Sequence, residues 1–380
     1  MNWEDIIVDA ALTDTGMRRT NNQDSYAVVR APNQATWKQR GHLFMVADGM
    51  GAHAVGELAS KLACDNIPHN YFKSKNGGSG EALSKAYLDV GGMIHDKATA
   101  NRDFAGMGTT CSTLVILPEG ILIGHVGDSR VYRMRNGRTE QLTFDHSLVW
   151  ELIRRRHMSP EQALRQAPKN VITRSLGPDP QVEVDLEGPL TVEQGDVYLI
   201  CSDGLSGPVT NPEIGAFSTE FHPEDACRYL IHLANLRGGP DNSTAVILHI
   251  GPWVDPSAAF DEAPLNGKGK SGKGFFSGLK GAFARKPAQP EVEEHVYQSA
   301  SAEITTTMLE RLAELVRQSQ AAAIEHAWNV DWAVLANLRR EAEDAKKEGQ
   351  MRASLRCIGE AICLLGIAAR SVRKRAAGVS

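Results

Sequence analysis

The sequence predicts an α+β fold whose strands are mostly antiparallel, and three observations carry that expectation. Apolar or alternating runs crowd the first 250 residues, at Ile6–Leu12, Tyr26–Arg30, Leu43–Ala47, Cys111–Leu117, Ile121–Val126, Val131–Met134, Val197–Cys201 and Ala245–Ile250. Two junctions between them read as hairpins: Pro118-Glu119-Gly120, and Asn136-Gly137 between Val131–Arg135 and Thr139–Leu142. Helical periodicity interrupts the strands twice, with Val55, Leu58, Ala59, Leu62 and Ala63 on one face and Leu83, Ala86, Tyr87 and Val90 on another. These two helices lie between the Leu43 and Cys111 strands and should pack as a pair on the sheet.

The strands end on acids. Leu43–Ala47 closes on Asp48-Gly49-Met50-Gly51, and Tyr198–Cys201 runs into Ser202-Asp203-Gly204. A third acidic turn, Gly239-Pro240-Asp241-Asn242, precedes the run Thr244–Ile250, and Gly127-Asp128 closes Ile121–Val126. Each Asp-Gly or Asp-Asn alone is an ordinary turn. Several acids at the ends of buried strands point to a shared cation site. Carboxylates are hard ligands suited to magnesium or manganese, which bind few of them and keep several waters. Arg19, in Arg19-Thr20-Asn21-Asn22-Gln23-Asp24-Ser25, offers a bidentate grip on phosphate beside such a site.

Residues 146–176 form an insert between strands. Leu148–Arg156 reads as a helix, and Ser159-Pro160-Glu161-Gln162 supplies an N-cap, a proline at the first helical position and a capping-box glutamine. Such an insert is suited to act as a flap, and Arg154-Arg155-Arg156 would attract an acidic partner or simply line a solvated face. Residues 251–298 change character. Gly267–Gly274 is low in complexity and five prolines punctuate the rest, which predicts a flexible linker. Within it, residues 268–286 combine lysines with Phe275, Phe276, Leu279 and Phe283, a pattern that serves either an anionic membrane surface or a solubilising spacer.

Residues 299–380 return to helical spacing. Met308, Leu312, Leu315 and Val316 make one stripe, Trp332, Leu335 and Leu338 a second, and Leu355, Ile358, Ile362 and Leu365 a third after a break at Gly349. A small helical bundle or hairpin that binds a protein partner or its own catalytic domain is expected. Residues 345–362 bear a faint likeness to one tetratricopeptide hairpin, but such repeats need about three copies to be stable.

Composition excludes several classes. The chain has 380 residues and a net charge of −5, so it offers no overall basic field for nucleic acid. Met1–Asp5 begins polar and acidic, so no secretory leader is expected, and no run reaches membrane-span length. The six cysteines show no C-x-x-C pairing and read mainly as buried hydrophobes, which favours a cytoplasmic protein over a disulfide or zinc scaffold.

Seven segments, in order, resemble the protein phosphatase 2C family of metal-dependent serine/threonine phosphatases, especially its bacterial branch. They are Thr13–Gly16 through Asn21–Ser25, Val46–His53, Gly106–Thr110, His125–Arg130, Ile172–Gly177, Cys201–Leu205 and Gly238–Thr244. They cover residues 8–250, so the resemblance gives a phosphatase domain over 1–250 and says nothing of 251–380. It implies a central antiparallel β-sandwich flanked by helix pairs, in four layers, with two Mn2+ or Mg2+ ions and a third, weaker one at one end. Asp48 would bridge two ions with the Gly49 carbonyl on one of them, Asp203 and Asp241 would hold the other, and Asp128 with Asp203 would bind the third. Arg19 matches the phosphate-binding arginine, and Arg19, Asp24 and His53 fall among the implied catalytic positions. Paired divalent ions lower the pKa of a water between them and make it a nucleophile near neutral pH. His53 is the nearest candidate by sequence to protonate the leaving oxygen, with a metal-bound water as its rival. Gln23 stands where many members carry glutamate, which removes a charge near one ion, and Ala52 replaces a common glycine. The implied activity is hydrolysis of phosphoserine and phosphothreonine on proteins, opposing serine/threonine kinases. The alternative is a phosphoprotein-binding module with little activity, recruited by its C-terminal helices.

Overall fold

The structure, a computed structural model, describes residues 7–51, 55–75, 77–156, 159, 162, 163, 165, 171–253 and 297–376. Its strands are β1 (Ile7–Asp14), β2 (Asp24–Val29), β3 (His42–Met50), β4 (Gly108–Thr109), β5 (Cys111–Leu117), β6 (Gly120–Val126), β7 (Arg130–Arg135), β8 (Arg138–Gln141), β9 (Asp185–Leu190), β10 (Val197–Cys201), β11 (Ser243–Ile250) and β12 (Gln298–Ser301). The helices are α1 (Gln34–Arg40), α2 (Val55–Lys73), α3 (Ser79–Ala100), α4 (Leu148–Arg156), α5 (Asp203–Ser206), α6 (Asn211–Glu220), α7 (Pro223–Leu236), α8 (Thr306–Glu325), α9 (Trp332–Lys347) and α10 (Met351–Ala376).

Two six-stranded sheets form. The first runs β1-β11-β10-β7-β8-β12 and the second β2-β3-β5-β6-β9, with β4 on β3. Every strand pair is antiparallel, as the hairpin signals predict. The Asn136-Gly137 turn joins β7 to β8, and both of its residues take left-handed backbone.

The period-two alternation of the strands sorts side chains into layers. On β3, Phe44 and Val46 point between the sheets, where they meet Leu114, Ile116, Ile123, Val131, Ile200 and Val246. Leu43, Met45 and Ala47 point the other way, onto Ala59, Ala63 and Ile67 of α2 and Leu83, Tyr87 and Val90 of α3. Strands covered on both faces read as continuous apolar runs, and burying each such large side chain is worth about 1.5–3 kcal/mol. The outer face of the first sheet is covered by α6 and α7, giving the expected four layers.

Neither α6 nor α7 was expected from the sequence, although their starts are signalled. Thr210 and Glu213 form a capping box with Pro212 in the first turn, and Pro223 opens α7 behind the His222 cap. The short strands β4, β9 and β12 were also missed, because β9 is largely exposed and carries Gly188-Pro189 in its middle. In the insert, α4 forms, and Ser159 and Gln162 exchange the capping-box hydrogen bonds the sequence predicts.

Three helices occupy the C-terminal region, and their stripes join an existing core. Leu312, Val316, Leu335, Leu355, Ile358, Ile362 and Leu365 share one cluster with Phe217, Tyr229 and Leu230 of α6 and α7. Trp332, expected on the second stripe, instead stays 41% exposed at the start of α9. Before α8, β12 adds an edge strand to β8. The seam between α7 and α10 depends on small residues. The Tyr229 ring lies where a Cβ on Gly359 would be 3.0 Å away, and His232 would sit 2.6 Å from a Cβ on Gly366. Tyr229 Oη then donates to Glu360 Oε1 at 2.6 Å.

Most of the expected linker, including residues 268–286, lies outside the described residues, as do Ala52, His53 and the side chains of Arg154, Arg155 and Arg156. Among the described residues, no helix is long and apolar enough to cross a membrane.

Candidate active site

The antiparallel registers bring the acid-bearing strand ends to one end of the sandwich. Asp24 lies opposite Asp48 in the β2–β3 pair, Cys201 opposite both Arg130 and Ala245, and Asp14 opposite Ser243. Asp48, Asp128, Asp203 and Asp241 therefore leave four different strand ends and meet, together with Asp24.

Backbone around Asp48 is held rigidly. Its N–H donates to Thr110 Oγ1 at 3.0 Å, and its carbonyl accepts from the Thr110 N–H and the Thr109 hydroxyl, both at 2.9 Å. The next residue has to be glycine, because a Cβ on Gly49 would overlap the Gly56 carbonyl at the start of α2. Gln23 sits beneath this turn. Its carbonyl accepts from Gly49 N–H at 3.1 Å, and its side-chain amide faces the Gly51 carbonyl at 3.5 Å.

Asp24 ties the sheets together. One oxygen accepts from Ser202 Oγ and from Thr244 Oγ1, each at 2.7 Å. Its other oxygen is buried without a partner, as is one oxygen each of Asp128 and Asp203. Buried carboxylate oxygens left without donors are costly unless a cation or proton satisfies them.

The electrostatics agree. Burial, reinforced by the charges of Asp203 and Asp241 against the Ser202 and Thr244 hydrogen bonds, raises Asp24 to about 7. Burial and then Asp203 raise Asp128 to about 7 as well. Asp48 goes well above its ordinary value through burial and then the charges of Asp24, Asp203, Asp128 and Asp241. Asp203 is raised by burial and by Asp241, against a hydrogen bond with Asp48. Acids that raise one another in this way form a strongly negative, poorly solvated cluster. Among the described residues, no three His, Cys, Asp or Glu side chains form a ready-made metal cage. The match to hard divalent cations rests on an all-oxygen donor set and on its unpaired oxygens.

Arg19 reaches the rim, 51% exposed, and donates Nη2 to Asp241 Oδ2 at 2.7 Å. It sits on the loop between β1 and β2. Asn242 stitches that loop down, donating Nδ2 to the Thr15 and Asn21 carbonyls at 3.0 and 2.9 Å while its Oδ1 accepts from Gln23 N–H at 2.8 Å. Asp14 caps the same loop by accepting from Gly16 N–H at 2.8 Å. The sequence displays Asn242 and Asp14 only as turn residues, and no local signal tells that Asn242 reaches Asn21, 221 positions away.

Next to the turn that carries Asp128, the insert helix α4 borders a cleft of about 930 Å3 lined by Phe144, His146, Trp150, Arg174 and Asp185. His146 Nδ1 accepts from Gly127 N–H at 3.0 Å and its Nε2 meets Asp185 Oδ2 at 2.9 Å, so the cleft wall is tied to the turn that carries Asp128. Sequence reasoning named the insert but neither His146 nor Asp185. His53, the expected acid, lies outside the described residues.

Known proteins resemble this chain in sequence and fold. The family model described as protein phosphatase 2C matches residues 17–235. The protein phosphatase PhpP of Streptococcus pneumoniae is 34% identical over 242 residues, 62% of this chain and 95% of that protein. The solved serine/threonine phosphatase of S. agalactiae superposes with a TM-score of 0.58 at 33% identity, over 64% of this chain and 99% of that one. The catalytic domain of the serine/threonine protein phosphatase PstP, solved in complex with two manganese ions, gives a TM-score of 0.55 at 31% identity, over 65% of this chain and 99% of that one.

Proposed function

Because this chain belongs to the protein phosphatase 2C family, we propose that it is a metal-dependent phosphatase that hydrolyses phosphoserine and phosphothreonine on proteins, using two Mn2+ or Mg2+ ions. The observation that carries this reading is the gathering of Asp24, Asp48, Asp128 and Asp203 at one end of the sandwich, three of them with a buried oxygen that has no partner. In this reading Asp48 and the Gly49 carbonyl, Asp203 and Asp241 would hold the two principal ions, and Asp128 with Asp203 would hold a weaker third.

Bound divalent ions supply Lewis acidity, which activates water for in-line attack and offsets phosphoryl charge. The chain's own residues do the rest. Asp24 locks Ser202 and Thr244 of the first sheet onto the second, and so holds the Asp203 and Asp48 strand ends in register. In this reading Arg19, which donates to Asp241 at the rim, would grip two phosphoryl oxygens. Its charge stabilises the equatorial oxygens as the seryl or threonyl oxygen departs. His53 remains our candidate proton donor to that oxygen. No side-chain nucleophile is needed, so no phosphoenzyme forms.

The cleft beside α4 is the place we assign to the protein part of the substrate, since it abuts the Asp128 turn. We assign a serine/threonine kinase and its targets as substrates, and the cytoplasm as the setting. The six unpaired thiols support that location.

The test is hydrolysis of para-nitrophenyl phosphate and of a phosphothreonine peptide, with and without Mn2+. Turnover should depend on the metal and vanish in Asp203→Ala. Binding of the phosphopeptide without metal-dependent turnover would instead make the chain a phosphoprotein-binding module.

A further inference from the structure

The C-terminal helix ends on the loop that carries Arg19. Residues 17–235 make up the family match, so α10 lies outside it. Arg370 of α10 forms an ion pair with Asp14 Oδ2. Asp14 is only 4% exposed, and its other oxygen accepts from Gly16 N–H at 2.8 Å and from Asn235 Nδ2 at 3.2 Å. One helical turn on, Arg373 donates Nη1 to the Gly16 carbonyl and Nη2 to the Arg19 carbonyl.

These contacts complement those made from within the phosphatase domain. Asn242 holds the carbonyls of Thr15 and Asn21, and Met17 N–H donates to the Gly239 carbonyl at 2.8 Å. The carbonyls of Gly16 and Arg19 are taken by the helix. A guanidinium presents its donors in a rigid planar fork, so one arginine on two carbonyls of one loop constrains their separation and direction. The helix itself is well anchored. Leu355, Ile358, Ile362 and Leu365 are buried against α7, and Arg352 donates to the Glu220 carbonyl at 2.6 Å. Its far end is therefore held like a strut, and the loop takes its position from it.

We propose that Arg373, supported by Arg370, is a positioning residue for phosphoryl binding: the C-terminal helix fixes the backbone of Arg19 and completes the phosphate subsite of the phosphatase domain. This rests on the reading of Arg19 as the phosphate-binding residue. The Arg19 side chain is long, and its guanidinium lands where its Cα directs it, so a loose loop spreads the guanidinium over many positions. Misplacement of a binding group by about 1 Å can cost up to about 100-fold.

The test uses the full chain with saturating Mn2+, para-nitrophenyl phosphate as substrate and inorganic phosphate as competitive inhibitor. Arg373→Ala and Arg373→Met, the second keeping the aliphatic stem, should raise KM and the phosphate inhibition constant in parallel by about 5- to 10-fold, with kcat falling less than KM rises. Arg373→Lys should recover part of the loss, since an ammonium can still reach one carbonyl. Arg19→Ala, run beside them, should move both constants further. If Arg19→Ala moves them and the Arg373 variants leave both at wild-type values, or lower kcat alone, the positioning role is overturned and the role of Arg19 stands. If Arg19→Ala leaves both constants unchanged, the phosphate-binding reading falls, and the positioning role with it.

Discussion

Asp24 lies directly across the β2–β3 pair from Asp48, and after burial its charge is the largest cause that raises the cost of ionising Asp48. Like charges placed opposite one another in a sheet destabilise it. Here they stand at a poorly hydrated strand end, so the site is held together against its own repulsion. Asp48→Asn should therefore separate function from stability. Activity should fall by at least about 100- to 1,000-fold, the range seen when a key electrostatic group is lost. The melting temperature in a chelator should match or exceed that of the parent chain. A lower melting point for the chelated variant would contradict the repulsion.

Gly49→Ala tests the backbone on which that acid stands. The new methyl would meet the Gly56 carbonyl and, at 2.7 Å, the Gln23 carbonyl. Neither is the free end of a side chain, so β3 and α2 must part. A loss of about 1–3 kcal/mol in urea unfolding is expected, with weaker Mn2+ activation. Unchanged stability would mean that the close approach is easily relieved.

Three buried histidines set an acid limit. Burial pushes His125, His232 and His249 down to about 4. They stay neutral in the folded chain but take up a proton near pH 6.5 once unfolded. Between about 6.5 and 4 the unfolded state binds more protons, so stability falls with falling pH by up to about 1.4 kcal/mol per unit for each of them. Below about 4 the loss is complete, and above 6.5 they contribute no slope. His249→Gln should remove one such slope. The stability of the parent relative to this variant, measured by urea unfolding from pH 4 to 7, should rise with pH and level off above 6.5.

Gly366→Leu addresses the attachment of the C-terminal helices. The added side chain would enter the space of the His232 ring, 2.6 Å from the first new carbon. Overpacking of this kind costs about 1–3 kcal/mol. Because α10 shares the core of α6 and α7, the loss should appear in the single unfolding transition of the whole chain. A separate early transition, with the main one unmoved, would show that the helices fold apart from the phosphatase domain.

Much of the site was legible because each acid terminates a strand that can be read locally. Leu43–Ala47 and Val197–Cys201 are continuous apolar runs, and the residue after each run had to turn. The helix α6 escaped periodicity because it is buried almost all round: Ile214, Gly215, Ala216, Phe217 and Ser218 are consecutive and all buried, whereas α7 does alternate, with Asp225, Arg228, His232 and Asn235 on one polar side. A helix with no solvated stripe shows no 3.6-residue alternation, and only its caps could have announced it. β9 escaped for the opposite reason, since an exposed edge strand with a proline carries little apolar signal.

By itself, the sequence determined the long apolar strands, their antiparallel pairing through short turns, and the set of acids at their ends, because alternation and turn chemistry act over a few residues. The tertiary structure alone decided the connections. Asn242 clasps a loop from the other end of the domain, Asp24 joins the sheets through Ser202 and Thr244, and Arg373 reaches the Gly16 and Arg19 carbonyls from a helix that sequence alone assigned to a region apart. Such contacts depend on where packing against a shared core sets each helix and strand, and no local pattern of residues records that distance.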